Sequence, residues 1–71
     1  MMIKSKRMSK GLTQEQLAKE MNVTRSTVAM WEKGVSTPRP AVLVRMAGFF
    51  ACTVDELLQK GEAENGKSGV S

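Results

Sequence analysis

Between Thr13 and Lys33 the chain sets two helix starts and one forced turn within twenty-one residues, which restricts it to two short helices meeting across a tight corner. Thr13 is followed three positions later by Gln16, the spacing of a capping box in which each residue's side chain satisfies an orphan amide of the other. Leu17, Ala18 and Met21 then recur at helical spacing as an inward stripe. Asn22 is the best non-glycine choice for a left-handed turn position, so the helix is expected to break there. Val23 points inward, and Thr24 caps a further helix in which Val28 and Trp31 face the core while Arg25, Ser26, Ala29 and Met30 lie toward the other side. Two helices crossing steeply over a short turn need a small residue at the crossing, a positive-φ residue in the turn and apolar residues at the corner. Counting from Gln14 as position one, leucine at four, alanine at five, methionine at eight, asparagine at nine, valine at ten, valine at fifteen and tryptophan at eighteen meet all of these needs.

The remainder reads as three more helices, giving an all-α chain of five. The first is expected from about Met2 to Ser9, stopped by Lys10 and Gly11. Gly34 ends the third, and residues 35–39 form a loop. Pro40 suits the first turn of the fourth, where a missing amide hydrogen costs nothing. Arg39, preceding a proline, is biased away from helical geometry. Leu43, Met46, Ala47 and Phe50 make the fourth helix's buried face, and Cys52 is expected in an apolar slot between the fourth and fifth helices. Thr53 and Glu56 form a second capping box for a last helix carrying Val54, Leu57 and Leu58. Residues 1–58 are thus expected to form one domain, and residues 59–71, rich in Gly, Glu, Asn, Lys and Ser, a disordered tail.

Composition narrows the function. A 71-residue chain buries only about 60% of the surface its unfolded form exposes, so its stability margin is thin. One cysteine cannot form an internal disulfide, and with no histidine a typical zinc site is excluded. Helix packing must carry the fold, with help expected from self-association or a bound ligand such as DNA. The unpaired cysteine and the lack of an apolar leader or long apolar run point to the cytoplasm rather than a membrane. Without an imidazole base or a nucleophile motif the chain is not expected to be an enzyme, and no metal, cofactor or small-molecule ligand is expected. Residues 1–45 hold nine Lys/Arg against three Asp/Glu, whereas residues 46–71 hold two against four. A basic front suggests a surface facing a polyanion, although the same excess would also serve solubility.

Against this background the chain resembles the Cro/CI-type, or XRE, helix-turn-helix family of phage and bacterial repressors. The resemblance rests on Lys4-Ser5-Lys6-Arg7, on Gly11-Leu12-Thr13-Gln14-Glu15-Gln16-Leu17-Ala18, on Val28-Ala29-Met30-Trp31-Glu32-Lys33-Gly34 and on Thr53-Val54-Asp55-Glu56-Leu57-Leu58. It implies a five-helix lambda-repressor-like DNA-binding domain whose second and third helices form the helix-turn-helix. The departures are Asn22 in place of the usual glycine, Gly48 inside the fourth helix and Ala51 where glycine or a polar residue often ends it.

The third helix is then expected in the major groove of double-stranded DNA, with its first turn at the base edges. Arg25 can bond bidentately to guanine, Ser26 can serve base or phosphate, and Met30 can pack on a thymine methyl. The resemblance implies base contacts at these same three positions. Gln14 stands at a helix N-terminus that favours phosphate, and the resemblance implies that it also touches the first recognition side chain. Thr27, Ser36, Thr37 and Arg39 are further candidates for the phosphate backbone, with Lys6, Lys10 and Lys33 as electrostatic contributors to DNA binding. For Arg7 and Glu32 the resemblance implies a partly buried structural salt bridge between the first and third helices. It also implies a homodimer formed after the fourth helix, setting two recognition helices about 34 Å apart on a palindromic site. Phe49, Leu57 and Leu58 are the candidates for that surface, with monomer core the equal alternative. The expected function is sequence-specific transcription regulation, most simply repression, with activation compatible. Two alternatives stay open: an antitoxin that also binds a toxin through its tail, and an adaptor that uses the scaffold for protein contact.

Overall fold

Local chemistry starts four of the five helices in the computed structural model, which describes residues 1–59. The order is α1 (Ile3–Ser9), α2 (Gln14–Met21), α3 (Arg25–Lys33), α4 (Pro40–Phe49) and α5 (Val54–Leu58). Thr13 and Thr53 close reciprocal capping boxes with Gln16 and Glu56. Thr24 caps α3 through its hydroxyl, and Pro40 opens α4. The first helix begins at Ile3 rather than Met2: Met2 is its N-cap, and the Met2 amide, which no helix bond could use, donates to the Leu57 carbonyl at 2.9 Å. That bond and the Lys6–Glu56 ion pair at 3.7 Å fasten α1 to α5. Among the described residues no helix is long and apolar enough to cross a membrane. The tail expected from residue 59 onward lies, apart from Gln59, outside the described residues.

One device ends four of the helices. Gly11, Asn22, Gly34 and Ala51 all take positive φ, between 57° and 81°. In each case the following amide, of Leu12, Val23, Val35 or Cys52, reaches back five residues to a carbonyl of the last helical turn, at 2.9–3.1 Å. This is the Schellman closure, which normally adds an apolar contact from the residue that donates the bond. Val23 and Cys52 make that contact, being partly buried against the core, whereas Val35 is exposed. The slot expected for Cys52 is therefore the apolar end of α4's closure.

Ile3, Leu17, Ala18, Met21, Val28, Trp31, Leu43, Met46, Ala47 and Leu57 form the core, drawing on all five helices. Ala18 is 3% exposed, and α2 and α3 make the most extensive helix pairing. Phe50, expected on the buried face of α4, instead caps the helix and stays half-buried, edge to face with Phe49. The chain reaches its left-handed turn one residue later, which ends the helix before Phe50. Leu57 needs a correction. It is fully buried, so it belongs to the monomer core and presents nothing to a second copy, whereas its neighbour Leu58 is 44% exposed.

The end of α4 has its two small residues in the less favourable places. Gly48 sits inside the helix, where a Cβ would meet nothing within 4 Å, while Ala51 holds φ 57° with its Cβ in place. Glycine within a helix costs about 0.5–1 kcal/mol relative to alanine, and alanine in the left-handed region costs roughly 1–2 kcal/mol. Gly48→Ala and Ala51→Gly are each expected to stabilise the fold by about 0.5–1 kcal/mol, the second less than its strain because glycine also loosens the unfolded chain. Urea denaturation should show a raised midpoint at unchanged slope for each variant, and a lowered midpoint for Ala51→Gly would exclude strain at that turn.

Candidate nucleic-acid interface

The helix-turn-helix is assembled from bonds within α2, the turn and α3. Asn22 takes φ 61° and ψ 44°, and Val23 donates to the Ala18 carbonyl at 2.9 Å, which redirects the chain after one left-handed residue. Thr24 then accepts from the Thr27 amide at 3.2 Å and starts α3. Because α3 buries Val28 and Trp31, its opposite side presents Arg25, Ser26, Met30 and Lys33, at helical spacings of one, four and three residues. Met30 is 40% exposed, and Arg25 and Ser26 are exposed in the first turn. Trp31 is 5% exposed and serves the core, leaving no ring free for stacking.

The polar side chains around that first turn are tied to one another. Glu32 lies on the inner side of α3, with a side chain 6% exposed, against that of Arg7, 12% exposed. Arg7 Nε donates to Glu32 Oε2 at 2.7 Å and Nη2 to Oε1 at 3.2 Å, a two-pronged pair. The remaining arm, Nη1, donates to the Leu12 carbonyl at 2.8 Å and so holds the α1–α2 loop. Glu32 Oε1 also accepts from Gln14 Nε2 at 3.0 Å, and Gln14 Oε1 accepts from Arg25 Nη1 at 3.2 Å. Four residues on three helices form one connected line from the interior to the exposed start of α3. Sequence reading anticipated its two ends. The middle bond, between Gln14 and Glu32, joins residues eighteen positions apart and leaves no local signal.

The other expected residues divide into two groups. Lys33, Ser36 and Thr37 gather at the end of α3, around a shallow depression that Trp31 and Gly34 also line. Arg39 is exposed on the same loop, while Pro38 is buried beneath it, a role that sequence reading missed. By contrast, Lys6 is committed to Glu56, and Lys10 lies 5.1 Å over the Phe49 ring, so both serve packing of α1 against the C-terminal helices. Thr27 is half-buried and shares a 2.9 Å hydroxyl contact with Thr24, which makes it part of the cap. An i, i+3 threonine pair at a helix start was the available signal. Among the described residues no group of three or more His, Cys, Asp or Glu side chains gathers to hold a metal ion.

Breaking this part-buried pair from one side strands the other charge, at a cost below the roughly 3–5 kcal/mol typical of a fully buried pair. Arg7→Met or Glu32→Leu alone is therefore expected to destabilise the fold by about 2–3 kcal/mol, and by more than the double variant. The double variant, with matched apolar volume, should stay within about 1 kcal/mol of the wild type. Denaturant midpoints of the three variants check this, and additive losses would contradict a coupled pair.

The comparisons agree with this geometry. A family model described as Helix-turn-helix matches residues 3–57. The chain is 43% identical over 56 residues to a protein named HTH-type transcriptional activator BcrR from Enterococcus faecalis. The match covers 79% of this chain and 28% of that relative, so the chain spans under a third of the relative's length. No solved structure matches the chain. With a helix-turn-helix of these residues inside a five-helix domain, and a family model matching from α1 into α5, the chain belongs to the XRE-type helix-turn-helix family, a family of DNA-binding regulators and not of enzymes.

Proposed function

We propose that the chain regulates transcription by reading duplex DNA in the major groove with α3, as a dimer on a palindromic site. The observation that carries this reading is the outward stripe of α3. Arg25, Ser26 and Met30 face away from the core in the first turns of a helix whose other side is fully committed to packing. Arg25 offers paired donors for guanine O6 and N7, Ser26 a short hydroxyl, and Met30 an apolar tip for a thymine methyl. Contacts to the phosphate backbone come from both ends of the motif. At one end, Gln14 and the free amides at the start of α2 face a shallow groove lined by Gly11, Thr13 and Arg25. At the other, Lys33, Ser36, Thr37 and Arg39 stand at the end of α3, and Thr27 adds a cap hydroxyl. Glu15, exposed in the first turn of α2, is a nearby countercharge that limits how closely phosphate approaches.

A dimer surface after α4 is supported by Leu58, exposed beside a core-bound Leu57, with the partly buried Phe49 as a second candidate. The sign of control follows from where the site lies. A copy bound over a promoter excludes polymerase, and one bound beside it can recruit. The relative named as an activator speaks for the second arrangement, while repression needs nothing beyond the groove contact.

Binding measured by fluorescence anisotropy tests the proposal, using a duplex recovered by selection from a random-sequence pool and a scrambled duplex of equal length. The selected duplex should bind about 10³-fold or more tightly than the scrambled one, and both affinities should fall steeply with salt. Arg25→Ala should cost about 1–3 kcal/mol on the selected duplex and relax preference at one base pair per half-site. Equal affinity of the wild type for both duplexes would overturn sequence-specific reading, and an equal loss on both for Arg25→Ala would reduce that residue to a phosphate contact.

A further inference from the structure

The line of bonds from Arg7 to Arg25 has a direction fixed by its chemistry. A carboxylate paired with a guanidinium accepts hydrogen bonds and donates none, and a guanidinium donates and accepts none. Gln14 lies between one of each, with its Nε2 3.0 Å from Glu32 Oε1 and its Oε1 3.2 Å from Arg25 Nη1. Only one orientation of the Gln14 amide satisfies both neighbours. The reverse would aim oxygen at oxygen on one side and N–H at N–H on the other. Glu32 is itself immobilised by two bonds from Arg7 and by burial. The amide orientation is thereby set from the interior, and it leaves a single acceptor at a fixed place beside the exposed guanidinium.

From this we infer that Glu32 is a positioning residue for base recognition, acting through the Gln14 amide to hold the Arg25 guanidinium in place before DNA arrives. The inference rests on the proposed reading of DNA by α3 and deepens it. A long, flexible arginine side chain loses rotamer entropy when it binds, and a partner that restrains it beforehand reduces that loss. The restraint favours the one base that matches the held geometry, so its removal should lower discrimination more than affinity. A pair that served only the fold would change stability and leave the base preference untouched.

The double variant Arg7→Met with Glu32→Leu keeps net charge and volume while removing the acceptor that orients Gln14. It is tested at a temperature where it is fully folded by circular dichroism. In the free protein, NMR relaxation of the Arg25 Nε–H group should show an ordered side chain in the wild type and a mobile one in the variant. On DNA, the affinity ratio is measured between the duplex selected by the wild type and the same duplex altered at the base pair that Arg25→Ala ceases to distinguish. This ratio should fall about threefold to tenfold in the variant, part of the discrimination that one arginine–guanine pair supplies, while affinity for scrambled duplex stays within about threefold. Gln14→Met should lower the ratio similarly, and adding the double variant to it should lower the ratio no further, since one line of bonds can be cut only once. Additive losses, or equal Arg25 mobility in wild type and variant, would overturn the inference. A wild type that discriminates no base would remove the DNA reading itself, even with Arg25 ordered, so the two failures are distinct.

Discussion

A guanidinium drawn partly out of water must spend its donors on fixed partners, and that requirement at Arg7 organises the molecule around it. Its three arms reach Glu32 on α3 and the Leu12 carbonyl in the loop before α2, so one side chain of α1 fixes the loop and α3 together. Each bond is directional as well as attractive. A shift of α3 along or about its axis would break the two-pronged contact and expose an unpaired charge to the interior. The apolar core supplies most of the driving force for collapse, but Leu17, Val28 and Met46 would tolerate small slides that the ion pair does not.

That constraint gains its use from the way the helices end. Four left-handed closures, at Gly11, Asn22, Gly34 and Ala51, turn the chain within one or two residues and keep the first four helices short. Short helices on tight corners leave little length to flex, so the orientation of α3 passes directly from α1 and α2. The exposed stripe of Arg25, Ser26 and Met30 is the far side of that arrangement. Ala51 shows that the closure is imposed by the fold, because an alanine adopts it despite the strain.

Much of this could be read in the residues. The two Thr capping boxes, Asn22, Gly34 and Pro40 each carry a local signal, and the helix starts and ends follow from them within about a residue. The inward stripe of α2 and the Val28–Trp31 pair follow from helical periodicity. The harder features depend on contacts between distant parts of the chain. Periodicity gives Leu57 and Leu58 equal claim to a surface, and only docking of α5 onto α1 and α4 shows that the first is enclosed. Lys6 and Lys10 look like free cations until Glu56 and Phe49 fold back beside them. The Gln14–Glu32 bond has no sequence signature, because it needs the corner to be closed before its partners meet.

The central claim is that the face built by α2 and α3 meets the DNA. Amide chemical-shift mapping on addition of a selected duplex tests it most directly. The account predicts large shifts at Thr13 to Gln16, Thr24 to Met30 and residues 33–39, with little change across α5 apart from effects of self-association seen without DNA. Shifts confined to the outer faces of α4 and α5, with Arg25 and Gln14 unmoved, would contradict it.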